Sequence, residues 1–334
     1  MSEGSAVGPG RVTLIPERRG RQGAPPMTSA NSRTASQTAF AGRLSRNLIP
    51  RHACFLLLMV ATVAWFWRPL ATVVSLSLQY GRYAHYSHIV LIPLISLYLL
   101  YLNRRAIFAT VEYTPWPGVF LITIGVAWSW LISALAPEQH DYLSPAMFSM
   151  VTACWGAFLL CYGIQAFRKA SFGLLLLLFM VPIPPFLLQA IIGFLQRAST
   201  EATGLLFGLL DVPVFRQGFV FVLPGITIEV TEACSGIRSG LALLITSLVA
   251  GHLFLGSTWT KLTLVLAIVP LTIVKNAVRI VVLSLLASYV HPSFITDSVL
   301  HRNGGIPLFF VSLGALVAIV WLLRRFEARL GYRG

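Results

Sequence analysis

"LTLVLAIVPLTIVKNAVRIVVLSLL", residues 262–286, carries only two charges, Lys275 and Arg279. As a helix rising ~1.5 Å per residue it reaches about 37 Å, more than the ~30 Å of a bilayer's hydrocarbon core. Working outward, similar apolar runs occur at 53–75, 84–102, 116–136, 143–164, 170–190, 236–256 and 305–323. The chain is 56% hydrophobic and 11% charged, with a mean hydropathy of +0.77. A soluble globular domain carries about 25% charged residues. The pattern predicts an all-α polytopic membrane protein with about eight transmembrane helices.

The 25 Lys and Arg outnumber the 11 Asp and Glu, a net charge of +14. Much of the surplus flanks the apolar body, in the first 51 residues and the last eleven. That placement reads as an orientation signal and lipid contact, not as a nucleic-acid footprint. Arg104, Arg105, Arg168, Lys169, Lys261, Arg324, Arg325 and Arg329 follow alternate spans and fall on one side if the N-terminus is cytoplasmic. The opposite loops, "APEQHD" (136–141) and 287–304, are poorer in basic residues. The expected topology is N-in, C-in.

Residues 1–47 are rich in Gly, Ser, Thr, Pro and Arg without hydrophobic period, and read as a disordered basic cytoplasmic tail before a membrane domain at 48–334. The tail has no signal-peptide pattern, and Met27 is an alternative start to Met1.

Residues 191–235 break the regular alternation of spans and loops. "IIGFLQRASTEATGLLFGLL" has apolar residues at helical spacing with Gln196, Arg197, Thr200 and Glu201 between them, as in a helix lying on the membrane surface. "GFVFVLPGITIEVTEA" then has two β-rich runs around a Pro-Gly turn signal, a small hairpin on the outer face.

"TEACSGIRSG" (231–240) puts Cys234 at the outer, N-terminal end of the sixth span, where helix N–H groups favour a thiolate. Cys54, Cys154 and Cys161 lie in or at the ends of spans, where a thiol packs as a small apolar group. No CxxC, HExxH or zinc-like His/Cys spacing occurs, so neither a metal nor a cofactor is expected. In the seventh span Lys275 and Arg279 are four residues apart and Asn276 precedes Arg279 by three. A charge at mid-bilayer costs about 2.5–3.5 kcal/mol on insertion scales, so both cations are functional candidates unless they snorkel to the headgroups. The last outer loop, "HPSFITDSVLHRNGG", adds His291 and His301. A thiol, a guanidinium and an imidazole thus arrive at one membrane face. Cysteine acyl transfer needs that set: nucleophile, base, and positive charge for the oxyanion.

At these residues the chain resembles the exosortase/archaeosortase family of polytopic membrane cysteine transpeptidases. The resemblance runs from about residue 50 to the C-terminus and rests on "VPIPPFLL", "VPVFRQGFVFVLPG", "IEVTEACSGIRSG", "NAVRIV" and "HRNGGIPLFF". It implies Cys234 as nucleophile, Arg279 as transition-state stabiliser and His301 as base; His291 lacks the glycine that follows His301 at four residues. It also implies exported substrate proteins with a C-terminal signal: a Pro-containing motif such as Pro-Glu-Pro, a transmembrane helix, then basic residues. Cleavage would pass through a Cys234 thioester resolved by an acceptor nucleophile of unknown identity. The implied location is the bacterial inner membrane, with the site facing outward. Arg216, Glu229, Glu232, Arg238 and Asn276 are candidates for substrate binding, with ion pairing among the charged ones as the alternative. A competing reading is a transporter or lipid-linked saccharide handler that binds an anionic headgroup at Lys275 and Arg279, though no inverted repeat supports it. A third is a non-catalytic scaffold for an export complex.

Overall fold

The computed structural model describes residues 49–78, 86–109, 111, 114–135, 139–232, 235–290 and 305–331. The tail at 1–47 and most of the last outer loop lie outside them. The first helices are α1 (Ile49–Trp65) and α2 (Trp67–Leu78), bent by 75° at their junction. Pro69 explains the bend: it has no N–H for the Trp65 carbonyl, and its ring crowds that turn. α3 (Ile92–Leu102), α4 (Arg104–Phe108) and α5 (Pro115–Leu135) follow.

α6 (Gln139–Leu176) changes direction within its length. Gly163 has φ 81° and ψ 175°, open to glycine and strained for other residues. The Trp155 Nε1 donates to the Leu174 carbonyl at 2.8 Å, although nineteen residues separate them. An unbroken helix would hold the two about 28 Å apart. The chain therefore doubles back at Gly163, and α6 is a helical hairpin. α5 packs on its first arm so closely that a Cβ on Gly118 would stand 2.4 Å from the Leu160 nitrogen.

A short 3-10 turn (Leu177–Met180) and the Pro-rich "VPIPP" end this hairpin. α7 (Pro185–Leu209) starts on Pro, which suits the first helical position. It begins earlier than the amphipathic segment expected at 191–210. It buries Leu188, Ile192, Leu195, Ser199, Thr203 and Phe207, one stripe at helical spacing.

The expected hairpin is a three-stranded antiparallel sheet: β1 (Phe215–Gln217), β2 (Val220–Leu223) and β3 (Ile226–Glu229), in the order β1-β2-β3. Pro224 and Gly225 form the turn between β2 and β3, and β1 is the added strand. Its three residues pair Phe215 with Val222 and Gln217 with Val220. Phe221, Leu223 and Val230 bury the inner face of the sheet against Phe207 of α7.

α8 (Ile237–Phe254), α9 (Thr258–Tyr289) and α10 (Gly305–Arg329) complete the chain. Their common core is Leu243, Leu255, Leu264, Ile268 and Leu316. Glu327, 5% exposed near the end of α10, receives the Gly256 and Ser257 N–H groups at 3.1 and 2.8 Å and the Thr260 hydroxyl at 2.5 Å. It thereby caps the open N-terminus of α9, whose own Ser257 makes no side-chain cap.

Among the described residues five helices are long and apolar enough to cross a membrane, or six if α1 and α2 form one bent span. The expected runs at 116–136, 236–256, 262–286 and 305–323 each coincide with one such helix. Those at 143–164 and 170–190 fall on the two arms of α6 and the start of α7. In 84–102 the helix covers only Ile92–Leu102, about 16 Å long. Cys154 and Cys161 are buried and Cys54 exposed, all as free thiols.

Candidate active site

Cys234 and His301, with His291, lie outside the described residues, so the site is built from the elements that bracket them. Upstream, β3 ends at Glu229 and Val230 is 1% exposed. The Val230 N–H donates to the Phe219 carbonyl at 2.9 Å, and its own carbonyl receives Gln196 Nε2 of α7 at 2.6 Å. Downstream, Ser235 is 1% exposed and its N–H donates to the Glu232 carbonyl at 3.0 Å. The chain is thus anchored four residues before Cys234 and one residue after it.

α8 starts after Gly236, whose φ of 74° is left-handed. A Cβ there would lie 3.2 Å from both Cγ and Oδ1 of Asn276. One turn on, a Cβ on Gly240 would lie 3.1 Å from Thr272 Cγ2. Two small residues four apart on α8 therefore meet two polar residues four apart on α9, the close approach that small-xxx-small spacing permits in membranes. Between these contacts Lys275 Nζ donates to Ser239 Oγ, and that hydroxyl donates to the Gly236 carbonyl at 3.0 Å. The result is a chain from buried lysine to the first turn of α8.

Thr272, Lys275, Asn276 and Arg279 form one polar stripe on α9. Asn276 is buried to 1% and Lys275 to 7% exposure; Arg279 is half-buried. Just past Arg279, Ile280 and Val281 pack under the sheet with Phe221, Leu223 and Val230. α9 runs on to Tyr289, and its Ser288 hydroxyl donates to the Pro224 carbonyl at 2.8 Å. About 15 Å of helix thus follows Arg279, which sits in the body of α9 beneath the sheet. The Ser235 and Thr272 hydroxyls are buried without a hydrogen-bond partner among the described residues.

The other expected binding residues divide. Arg216 makes a two-toothed pair with Glu201 of α7, at 2.8 and 2.6 Å, and its Nε donates to the Gly218 carbonyl at 2.9 Å. The Arg216 guanidinium holds the Glu201 carboxyl below its ordinary value, and the carboxylate raises the Arg216 value in return. Arg216 therefore ties β1 to α7. Glu229, Glu232 and Arg238 are exposed and form no ion pair among the described residues. Glu229 lies on the sheet face opposite the core, with Gln217 and Val220 in its row.

Ser239 and Thr272 were not singled out by the sequence, and Gln196 only as a polar position of the amphipathic segment. The one usable signal was Gly236 and Gly240 at four-residue spacing. Among the described residues no three His, Cys, Asp or Glu side chains converge as metal ligands do.

Residues 80–318 match the family model described as transmembrane exosortase. No curated protein and no solved structure matches the chain significantly. The matched segment covers well over half of the sequence and includes the sheet, α8, α9 and the polar stripe between them. The chain belongs to the transmembrane exosortase family, whose members are membrane protein-sorting transpeptidases.

Proposed function

We propose that the chain is a multi-pass cysteine endopeptidase/transpeptidase of the bacterial inner membrane that removes the C-terminal sorting signal of exported proteins. The observation that carries this reading is the contact of Asn276 with Gly236. It sets the polar stripe of α9 against the head of α8, two residues beyond Cys234.

In this reading His301 takes the Cys234 thiol proton and the thiolate attacks the scissile carbonyl carbon. Arg279 stabilises the oxyanion that develops. Collapse of the tetrahedral species expels the amine, which takes its proton from His301 and leaves with the substrate's transmembrane tail. A thioester remains on Cys234. An acceptor nucleophile, water or a surface amine or hydroxyl, then attacks that thioester, gives its proton to His301 and releases the thiolate.

The substrate bears a Pro-containing motif, a transmembrane helix and a basic tail. Its helix holds the motif at the membrane, which raises the effective concentration at a site facing the outer surface. N-in, C-in topology puts the sheet and the head of α8 on that side.

The headgroup reading is less favoured, because Lys275 is buried at the α8–α9 interface and bonded to Ser239. The test is Cys234→Ala, which should reach the membrane at the wild-type level and leave exported clients unprocessed. Normal processing by that variant removes the proposal.

A further inference from the structure

The sheet has two edges, and they differ. The β1 edge is three residues long, is preceded by Pro213, and carries Arg216 folded back onto Gly218 and Glu201. Proline, charge and brevity are the devices that blunt an edge. The β3 edge, "ITIE", has no proline and no lysine, and among the described residues no strand lies beyond it.

Its backbone can be assigned residue by residue. Pro224 and Gly225 form a two-residue turn, so Leu223 and Ile226 are a hydrogen-bonded pair and the pairs alternate from there. Phe221 with Ile228 is the next bonded pair, and the Val230 N–H to Phe219 carbonyl bond continues the alternation. Thr227 and Glu229, the residues between, therefore turn their N–H and C=O groups to the open edge. No turn, loop or cap hydrogen bond among the described residues uses either backbone. Both residues are exposed, while Ile226 and Ile228 pack against the core with Ile280 and Val281.

Two outward N–H/C=O sets spaced two residues apart, ~6.6 Å, are complementary to the alternate residues of an extended chain and to little else. β3 is also held in place: Gln196 grips the carbonyl of Val230 immediately after it, and Glu229 stands five residues before Cys234.

We propose that the open edge of β3 binds an extended segment of the exported substrate as a fourth strand, through main-chain hydrogen bonds to Thr227 and Glu229. The inference rests on the reading of the protein as a Cys234 peptidase, and it supplies that reading with a mode of substrate recognition. Affinity then comes from the peptide backbone and tolerates varied side chains. The added strand lies alongside the segment that leads to the nucleophile.

The test uses the full chain in membrane vesicles and a synthetic client peptide with a Pro-Glu-Pro motif, an apolar helix and a basic tail. Single N-methyl groups are placed in turn on the non-proline backbone amides ahead of the helix. Strand addition predicts a period of two: methylation raises KM at every second position by about fivefold, the loss of one hydrogen bond, and has little effect between. On the enzyme, Thr227→Pro removes an outward N–H without touching the β2 ladder, and it should raise KM similarly while kcat holds. Thr227→Val, which keeps the N–H, should rescue it. An N-methyl scan without alternation overturns the inference whether or not the proline variant folds. So does wild-type KM in a folded Thr227→Pro. Cys234→Ala in parallel separates the two claims: if it still cleaves, the peptidase reading falls and takes this inference with it.

Discussion

Asn276 of α9 lies against Gly236 at the head of α8, so near that a Cβ on residue 236 would stand 3.2 Å from the amide carbon of the asparagine. Gly236 also has φ 74°. The position is thus closed to side chains twice, by backbone conformation and by crowding. Gly236→Ala should cost at least about 1 kcal/mol from the left-handed backbone alone. It should also push Asn276 away, and client processing should fall more than tenfold with protein still in the membrane. Thermal unfolding in detergent and a processing assay measure the two effects.

Ser239 receives the Lys275 ammonium and passes a hydrogen bond to the Gly236 carbonyl. Ser239→Ala leaves the buried cation without that acceptor, at a cost of about 1–3 kcal/mol. Lys275→Met in the same protein removes the cation as well. The double variant should then be more stable than Ser239→Ala alone, because no charge is stranded. Thermal unfolding of the four proteins in one detergent checks the order.

Glu327 binds two backbone N–H groups and a hydroxyl at the start of α9. Glu327→Gln keeps the shape but loses the charge that complements the helix N-terminus. It should destabilise the protein by about 1–2 kcal/mol, and Glu327→Ala by more. Such a change acts at the end of α9 away from the sheet, so KM for clients should stay near wild type.

The Glu201–Arg216 pair gives a pH dependence with a definite sign. Glu201 has a carboxyl value lowered by Arg216, so its contribution is present above the ordinary carboxylate value of 4.5. That contribution is lost as pH falls through the lower, folded-state value. As pH falls through that lowered value the β1 strand should loosen from α7, seen as faster hydrogen exchange at Phe215–Gln217. Glu201→Gln should exchange at the faster rate at neutral pH and lose the acid step.

How much of this was legible in the sequence depends on range. The crossing helices α5, α8, α9 and α10 follow from long apolar runs, and the Pro224–Gly225 turn from two residues. The polar stripe of α9 was visible because cations in an apolar run are conspicuous. The reversal at Gly163 falls at the end of the expected 143–164 run, but its tightness was not visible, since nothing local shows that one glycine makes the turn without a loop. β1 was missed because three residues carry no period. Arg216 looked like a substrate ligand because its partner, Glu201, lies fifteen residues away on another element. Lys275, Ser239, Asn276 and Gly236 meet only when α8 and α9 pack, and no local pattern encodes that pairing.

The most direct measurement is mass spectrometry of the enzyme quenched in acid during turnover of a client peptide. The account predicts a hydroxylamine-sensitive thioester joining the N-terminal part of the client to the peptide that contains Cys234, and its loss in Cys234→Ala. Turnover by Cys234→Ala, or an adduct on any other residue, would contradict it.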